Sequence, residues 1–130
     1  ISEPISKMTS NRLDIKDNIP FNELDCFDFF CLQVSKIDCD INVLIRPHPS
    51  ETASNLPYDM SQSSNITFFI SDQTSLTYDL MRSTSVVGCQ SMALVVALAC
   101  SKNVYTCIPP DKGKCFLPFP EISVISQMDV

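Results

Sequence analysis

The chain has 130 residues, of which 45% are hydrophobic and 18% are charged. This composition is typical of one folded domain with a modest core and excludes a disordered chain. The net charge is −6, and the nine basic residues are scattered along the sequence. A nucleic-acid surface is therefore not expected, because phosphate backbones recruit clustered Lys and Arg. An acidic chain can still bind an anion at one local site.

The cysteines and the single histidine limit the other classes of site. The cysteines are seven, an odd number, and no two have the CxxC spacing of a zinc or redox site. Several lie in apolar runs, where a free thiol behaves as a small hydrophobe, so we expect reduced thiols in a cytoplasmic protein. One histidine and dispersed carboxylates give no zinc ligand set, and neither a metal nor a cofactor is expected. The longest apolar stretch, SMALVVALAC, is too short to cross a bilayer.

The first half of the chain predicts a strand, a loop, a helix and two further strands. ISEPI at residues 1–5 fits a short strand or the end of one, and the polar residues 7–19 fit a loop. Pro20 suits the first turn of a helix that continues to residue 37. The residues at helical spacing on its apolar face are Phe21, Leu24, Phe27 or Phe29, Cys31 and Val34. INVLIR at 41–46 and NITFFIS at 65–71 are apolar runs typical of strands buried on both faces.

In the second half, short helices and strands alternate. An amphipathic helix is predicted at residues 75–83, with Leu76, Leu80 and Met81 as candidates for its inward face. The remaining elements are a strand at 84–89, an apolar helix at 91–101, a strand at 103–108, and a last short strand at 122–125 in an irregular tail.

Strands that alternate with helices imply crossover connections and a largely parallel sheet. We predict an α/β fold for residues 1–130: a single Rossmann-like domain, a three-layer sandwich with a mainly parallel sheet. Ligands bind beyond the C-terminal ends of strands in such sheets. The loops after the strands at 41–46 and 84–88 are therefore the candidate site, and both should open on the same edge.

The loop after the first of these strands is RPHP, in which two prolines fix the direction of the chain around His48. The loop after the second is GCQS, in which Ser91 is a candidate N-cap and Gly88 permits close approach of a ligand. The free N–H groups and the positive dipole end of the following helix favour an anion. The alternative interpretation is a surface histidine and an ordinary helix cap. No Asp or His adjoins the Cys-Gln-Ser turn, so a nucleophilic triad is unsupported.

The two loops together resemble a known family. The pattern is a strand followed by RPHP, and then a second strand followed by GCQSMALVVALACSKNVYTCIP. It is similar to the C-terminal half of GT-B glycosyltransferases of the bacterial surface-polysaccharide type, which have an HP motif and a later serine motif. Examples are CMP-sugar-using sialyl- and Kdo-transferases and polyol-phosphate transferases. The resemblance covers about residues 41 to 110. It implies that His48 contacts the nucleotide phosphate and assists departure of the leaving group, and that Ser91 binds the phosphate. The further candidates for nucleotide or phosphate binding are Gln90, Gly88, Arg46 and Ser75.

The resemblance also implies a larger enzyme. GT-B enzymes have two Rossmann-like domains, with the general base in the N-terminal one, so this chain would be the donor-nucleotide-binding domain, inactive without its partner. The implied ligands are a CMP- or UDP-type nucleotide sugar and a glycan acceptor, and the full-length enzyme could associate peripherally with a membrane. The chain departs from many members in having only two glycines. Two alternatives stay open: a domain like that of sugar-nucleotide 2-epimerases, which need acidic residues where this chain has Gln90, and a non-enzymatic Rossmann-like binding module.

Overall fold

The computed structural model describes residues 1–2, 21–49, 56, 58–61, 63–72 and 75–128. The helices in this part of the chain are α1 (Glu23–Ser35), α2 (Leu76–Met81) and α3 (Met92–Ala99). The strands are β1 (Ile41–Ile45), β2 (Ile66–Ile70), β3 (Ser85–Gly88), β4 (Asn103–Thr106) and β5 (Ser123–Val124), and a 3₁₀ turn follows at Ile125–Gln127. The loop predicted at residues 7–19 and the turn at Pro20 lie outside the described residues.

The strands form two small sheets in which every pair is parallel. β1 pairs with β2, from Ile41 opposite Ile66 to Ile45 opposite Ile70. In the second sheet the order is β3-β4-β5. The predicted α/β fold with a mainly parallel sheet is therefore confirmed, and the arrangement is consistent with a Rossmann-like fold.

The first two residues of the chain join the two sheets. The Ser2 N–H donates to the carbonyl oxygen of Arg46, directly after β1, over 2.9 Å. The Ile1 amine donates to the carbonyl oxygen of Val87, in β3, over 2.8 Å. The C-terminal ends of β1 and β3 thus flank the same dipeptide, which confirms that these strands end at the same edge.

Helices cover both faces of the β3–β4 sheet. Val86 of β3 and Val104 of β4 pack in one cluster with Leu80 of α2 and with Leu94 and Ala97 of α3. The next residue along each strand, Val87 and Tyr105, packs instead against the cluster that contains Cys26 and Val34 of α1. Neighbouring residues of a strand point to opposite faces. Helix α1 therefore covers one face while α2 and α3 cover the other, which gives the three layers.

Helix α1 begins at Glu23, later than the sequence predicted, because a capping box fixes its start. The Asn22 side chain accepts from the Asp25 N–H over 2.9 Å, and the Asp25 carboxylate accepts from the Asn22 N–H over 3.0 Å.

Two residues predicted to face inward do not. Leu24 of α1 is 43% exposed, because the buried stripe of this helix is centred on its Cys26, Phe27 and Val34 side, and Leu24 lies at the stripe's margin. Met81 is 77% exposed, because it follows the buried Leu80 and one residue turns a helix by about 100°.

Candidate functional site

The first predicted loop leaves β1 at its C-terminal end. Arg46 and Pro47 are half-buried, whereas His48 and Pro49 are exposed. The only histidine of the chain is thus accessible to a ligand. It lies two residues beyond the carbonyl group that accepts the Ser2 hydrogen bond.

The second predicted loop, from Gly88 to Ser91, is held against the end of β4. The Gly88 carbonyl accepts from the Cys107 N–H over 2.9 Å, and the hydroxyl of the buried Thr106 donates to the Cys89 carbonyl over 2.8 Å. These bonds fix where α3 begins.

The serines at the starts of α2 and α3 are caps. The Ser91 hydroxyl oxygen accepts from the Ala93 N–H over 3.0 Å, so its prediction as the N-cap of α3 is confirmed. Ser75 caps α2 in the same way and accepts from Tyr78 over 3.4 Å. Gln90, between the turn and the helix, is half-buried. The proximity of His48 to Ser91 that would let them share one anion stays a prediction.

Arg46 is engaged inside the protein. Its guanidinium Nη1 donates to the Asp79 carboxylate over 2.8 Å, and the arginine side chain is 19% exposed. The same carboxylate accepts from the Ser71 hydroxyl over 2.5 Å and from the Arg82 guanidinium over 2.9 Å. Asp79 therefore links the ends of β1 and β2 to helix α2. A phosphate ligand role for Arg46 would compete with this pairing.

The ionisation of Asp79 follows from these contacts. Burial alone would raise the pKa of its carboxyl group, but the hydrogen bonds from Ser71, Arg46 and Arg82 outweigh burial, and the pKa lies below its ordinary value. Asp79 is consequently a carboxylate at neutral pH, although it is only 4% exposed.

A groove of about 860 Å³ runs between β1 and β3 and reaches this edge. All five residues of β1 line it on one side, and Ser85 to Val87 line it on the other. Ile1 and Ser2 lie in its wall, as do residues of α1 and α2 such as Phe27 and Leu80. A second, shallower depression of about 590 Å³ lies at the opposite, N-terminal ends of β1 and β2, around Cys39 and Asn65.

Three cysteines converge on the α1 side of the sheet. The sulfur atoms of Cys26, Cys89 and Cys107 lie within 4.8 Å of one another, and all three residues are buried. The absence of CxxC spacing gave no sign of this cluster, because α1, the turn after β3 and the end of β4 bring together residues that are distant in the chain. Three thiolates fit a soft cation, whereas a closed structural zinc site needs a fourth ligand.

The thiols also differ in acidity. Hydrogen bonds from Cys26 and Cys89 lower the pKa of Cys107, and burial opposes them. Cys31 has the opposite shift: burial, with smaller contributions from Asp28 and Asp59, raises its pKa to about 12. Cys31 is thus an inert, protonated core thiol.

Sequence reasoning missed Asp79, which organises this edge. The available signal was its place in the predicted amphipathic helix, three residues after Leu76 and one before Leu80, where a charged residue falls on the inward side. A carboxylate in such a position requires a cationic partner, and Arg46 and Arg82 both supply one.

No family model, curated protein or solved structure matches this chain. Within the described residues, no helix is both long enough and apolar enough to cross a membrane.

Proposed function

We propose that this chain is the donor-nucleotide-binding domain of a glycosyltransferase that acts in polysaccharide or glycolipid synthesis. It would bind the phosphate of a CMP- or UDP-sugar at the edge where β1 and β3 end. One observation supports this proposal above the others: the ends of both strands flank Ile1 and Ser2. The loop that contains His48 and the turn that leads into α3 therefore leave the two sheets at the same edge, on either side of this dipeptide.

The proposed anion site has two parts. The first turn of α3, capped by Ser91, supplies backbone N–H groups and the positive end of the helix dipole, which favours an anion by about 0.3–1 kcal/mol. The exposed imidazole of His48 supplies a hydrogen-bond donor from the other loop. Arg46 is a weaker candidate because its guanidinium is paired with Asp79.

The same groups suit the proposed chemistry. When the sugar leaves its donor, the bond between the anomeric carbon and a phosphate oxygen breaks, and negative charge develops on the departing nucleotide. Hydrogen-bond donors held at that oxygen stabilise the negative charge in the transition state more than the charge of the intact nucleotide sugar. His48 would act there as phosphate ligand and acid, and Ser91 as phosphate ligand. The base that activates the acceptor would come from a second domain.

Calorimetric titration with CMP and with UDP tests the proposal. We expect binding in the millimolar range, weakened about fivefold by His48→Ala and by Ser91→Ala, since one hydrogen bond is worth about 1 kcal/mol. Ser64→Ala is the matched control, because Ser64 is an exposed serine that precedes β2 at the opposite edge of the sheet. The proposal would be contradicted if neither CMP nor UDP bound detectably at about 10 mM. It would also be contradicted if a variant with both His48→Ala and Ser91→Ala kept the parent's affinity.

A further inference from the structure

The groove between β1 and β3 is bordered by two strand edges that face each other. On β1, the Ile41 N–H and the Ile45 carbonyl are bonded to the β2 side, over 2.8 and 2.7 Å. Backbone groups of a strand alternate in direction, so those of Asn42 and Leu44 point the other way, into the groove. On β3, the Gly88 carbonyl is bonded to the β4 side, so the backbone groups of Ser85 and Val87 also face the groove.

Ile1 and Ser2 occupy the end of this groove as a strand would. Their successive N–H groups point in opposite directions, one to Val87 of β3 and the next to Arg46 beyond β1. This is the alternation of an extended chain placed between two parallel neighbours. The bonds also fix the register, with Ile1 level with Arg46 on one side and with Gly88 on the other. Ile1 and Ser2 together thus connect the two facing edges, with one hydrogen bond to each.

Helices cover the groove with apolar side chains on both faces of the sheet, as they would cover a central strand. Helix α1 contributes Phe27 on one side of the sheet plane, and helix α2 contributes Leu80 on the other. Val43 and Leu44 of β1 are only half-buried, although they lie where the centre of the combined sheet would be. Central strands of parallel sheets are normally covered on both faces and on both edges. The groove is thus shaped for a backbone with apolar side chains on both faces.

We propose that the groove holds a sixth strand, an extended apolar segment of about five residues that leads directly into Ile1 and runs parallel to β1 and β3. Continuity favours this occupant, because Ile1 and Ser2 already follow the strand's path and register. Five residues extend about 16 Å, at about 3.3 Å each, which matches the five-residue length of β1. The strand would bond to Asn42 and Leu44 on one side and to Ser85 and Val87 on the other.

The sixth strand would unite the two sheets. The order would become β2-β1-sixth strand-β3-β4-β5 with all neighbours parallel, and the sixth strand would come first along the chain. The direction of strand succession then reverses between the sixth strand and β3. Open parallel sheets bind ligands at such a reversal, beyond the C-terminal ends of the strands. The turn from Gly88 to Ser91 opens at this point. The inference itself depends on the groove and the two hydrogen bonds, and it stands whether or not the ligand is a nucleotide sugar.

The test compares three proteins: the 130-residue chain, the same chain with Val-Ile-Val-Val-Thr added directly before Ile1, and a control in which the added residues are Gly-Ser-Gly-Ser-Gly. Hydrogen exchange of the Leu44 and Val87 amides is followed by NMR, together with thermal unfolding. We expect the apolar extension to slow exchange of both amides by about 100-fold or more and to raise the unfolding midpoint by about 5 °C. The glycine–serine extension should change neither quantity.

Two results would overturn the proposal. The first is exchange of Leu44 and Val87 at the same rate with and without the apolar extension, or equal protection by the control. The second is protection of these amides in the unextended chain that grows with protein concentration, together with a dimer mass by light scattering. That outcome would assign the groove to a second copy of the chain.

Discussion

At the scale of single residues, Asp79 has the largest structural role near the candidate site. It is a nearly inaccessible carboxylate that accepts from Arg46 at the end of β1, from Ser71 at the end of β2 and from Arg82, which directly follows its own helix. Burial of a charge is unfavourable unless it is paired and hydrogen-bonded, and each oxygen of this carboxylate has a donor. The position of the loop that contains His48 consequently depends on a residue that need not touch any ligand.

Replacing Asp79 by Asn should therefore reduce stability and also change its pH dependence. The free energy of unfolding at pH 7 should fall by about 1.5–3 kcal/mol, the range for hydrogen bonds to charged groups. Because the folded-state pKa of Asp79 is lowered, its contribution is complete above the unfolded value of about 3.9 and is lost as pH falls through the folded value. Urea unfolding at pH 7 and pH 3 measures both effects.

The variant should lose less stability than the parent chain between these two pH values. Asp111→Asn, at an exposed position, is the control and should behave like the parent. An Asp79→Asn variant with the parent's full acid dependence would contradict the assigned role of this carboxylate.

At the scale of elements, the sequence predicted each helix and strand of the described part, because continuous β-branched runs and serine caps are local signals. The ends of elements were less predictable. The start of α1 depends on a reciprocal pair of hydrogen bonds between Asn22 and Asp25, and the buried side of that helix is decided by what lies beneath it. The cluster of Cys26, Cys89 and Cys107 had no local signal, since three separate elements contribute to it.

Helix α3 allows a direct comparison between a buried and an exposed apolar residue on one element. Leu94 is fully buried against the face of the β3–β4 sheet, whereas Met92, two residues earlier, is 65% exposed. We expect Leu94→Ala to lower the free energy of unfolding by about 3–5 kcal/mol, through lost burial and the cavity left behind. Met92→Ala should change it by about 0.5 kcal/mol or less. Chemical denaturation of both variants measures the difference, and similar losses in the two would show that α3 is not packed as described.

At the scale of the whole molecule, the common edge at which β1 and β3 end was predictable from a general rule about parallel sheets, and the bonds of Ser2 to Arg46 and of Ile1 to Val87 confirm it. A ligand site at this edge stays a prediction. The division of the sheet into two halves was not predictable. The division depends on which strand edges form backbone hydrogen bonds with each other, and residue types alone do not specify this pairing. The pairing of Arg46 with Asp79 was equally hidden, because it requires knowing which helix crosses the end of β1.

Thiol accessibility tests the packing of the molecule as a whole. All seven cysteines are free thiols in the structure, and four of them, Cys26, Cys31, Cys89 and Cys107, are buried. An aromatic disulfide reagent should label Cys39 and Cys100 rapidly and Cys115 more slowly, because the first two are exposed and the third is half-buried. The buried thiols should react only on unfolding, since the reagent needs an accessible thiolate. Rapid labelling of more than three thiols in the native protein, or fewer than seven in denaturant without reductant, would contradict this arrangement.

The join between the two sheets also has a kinetic consequence. β1 pairs with β2, and β3 with β4, across short stretches of chain, whereas the bond from Ile1 to Val87 links residues that are 86 positions apart. Closing a longer loop costs more entropy, so each half-sheet can form before the two are joined. Contacts that form after the rate-limiting step affect the unfolding rate and leave the folding rate nearly unchanged. We therefore expect the hydrogen bonds of Ile1 and Ser2, each worth about 1 kcal/mol, to slow unfolding more than they speed folding.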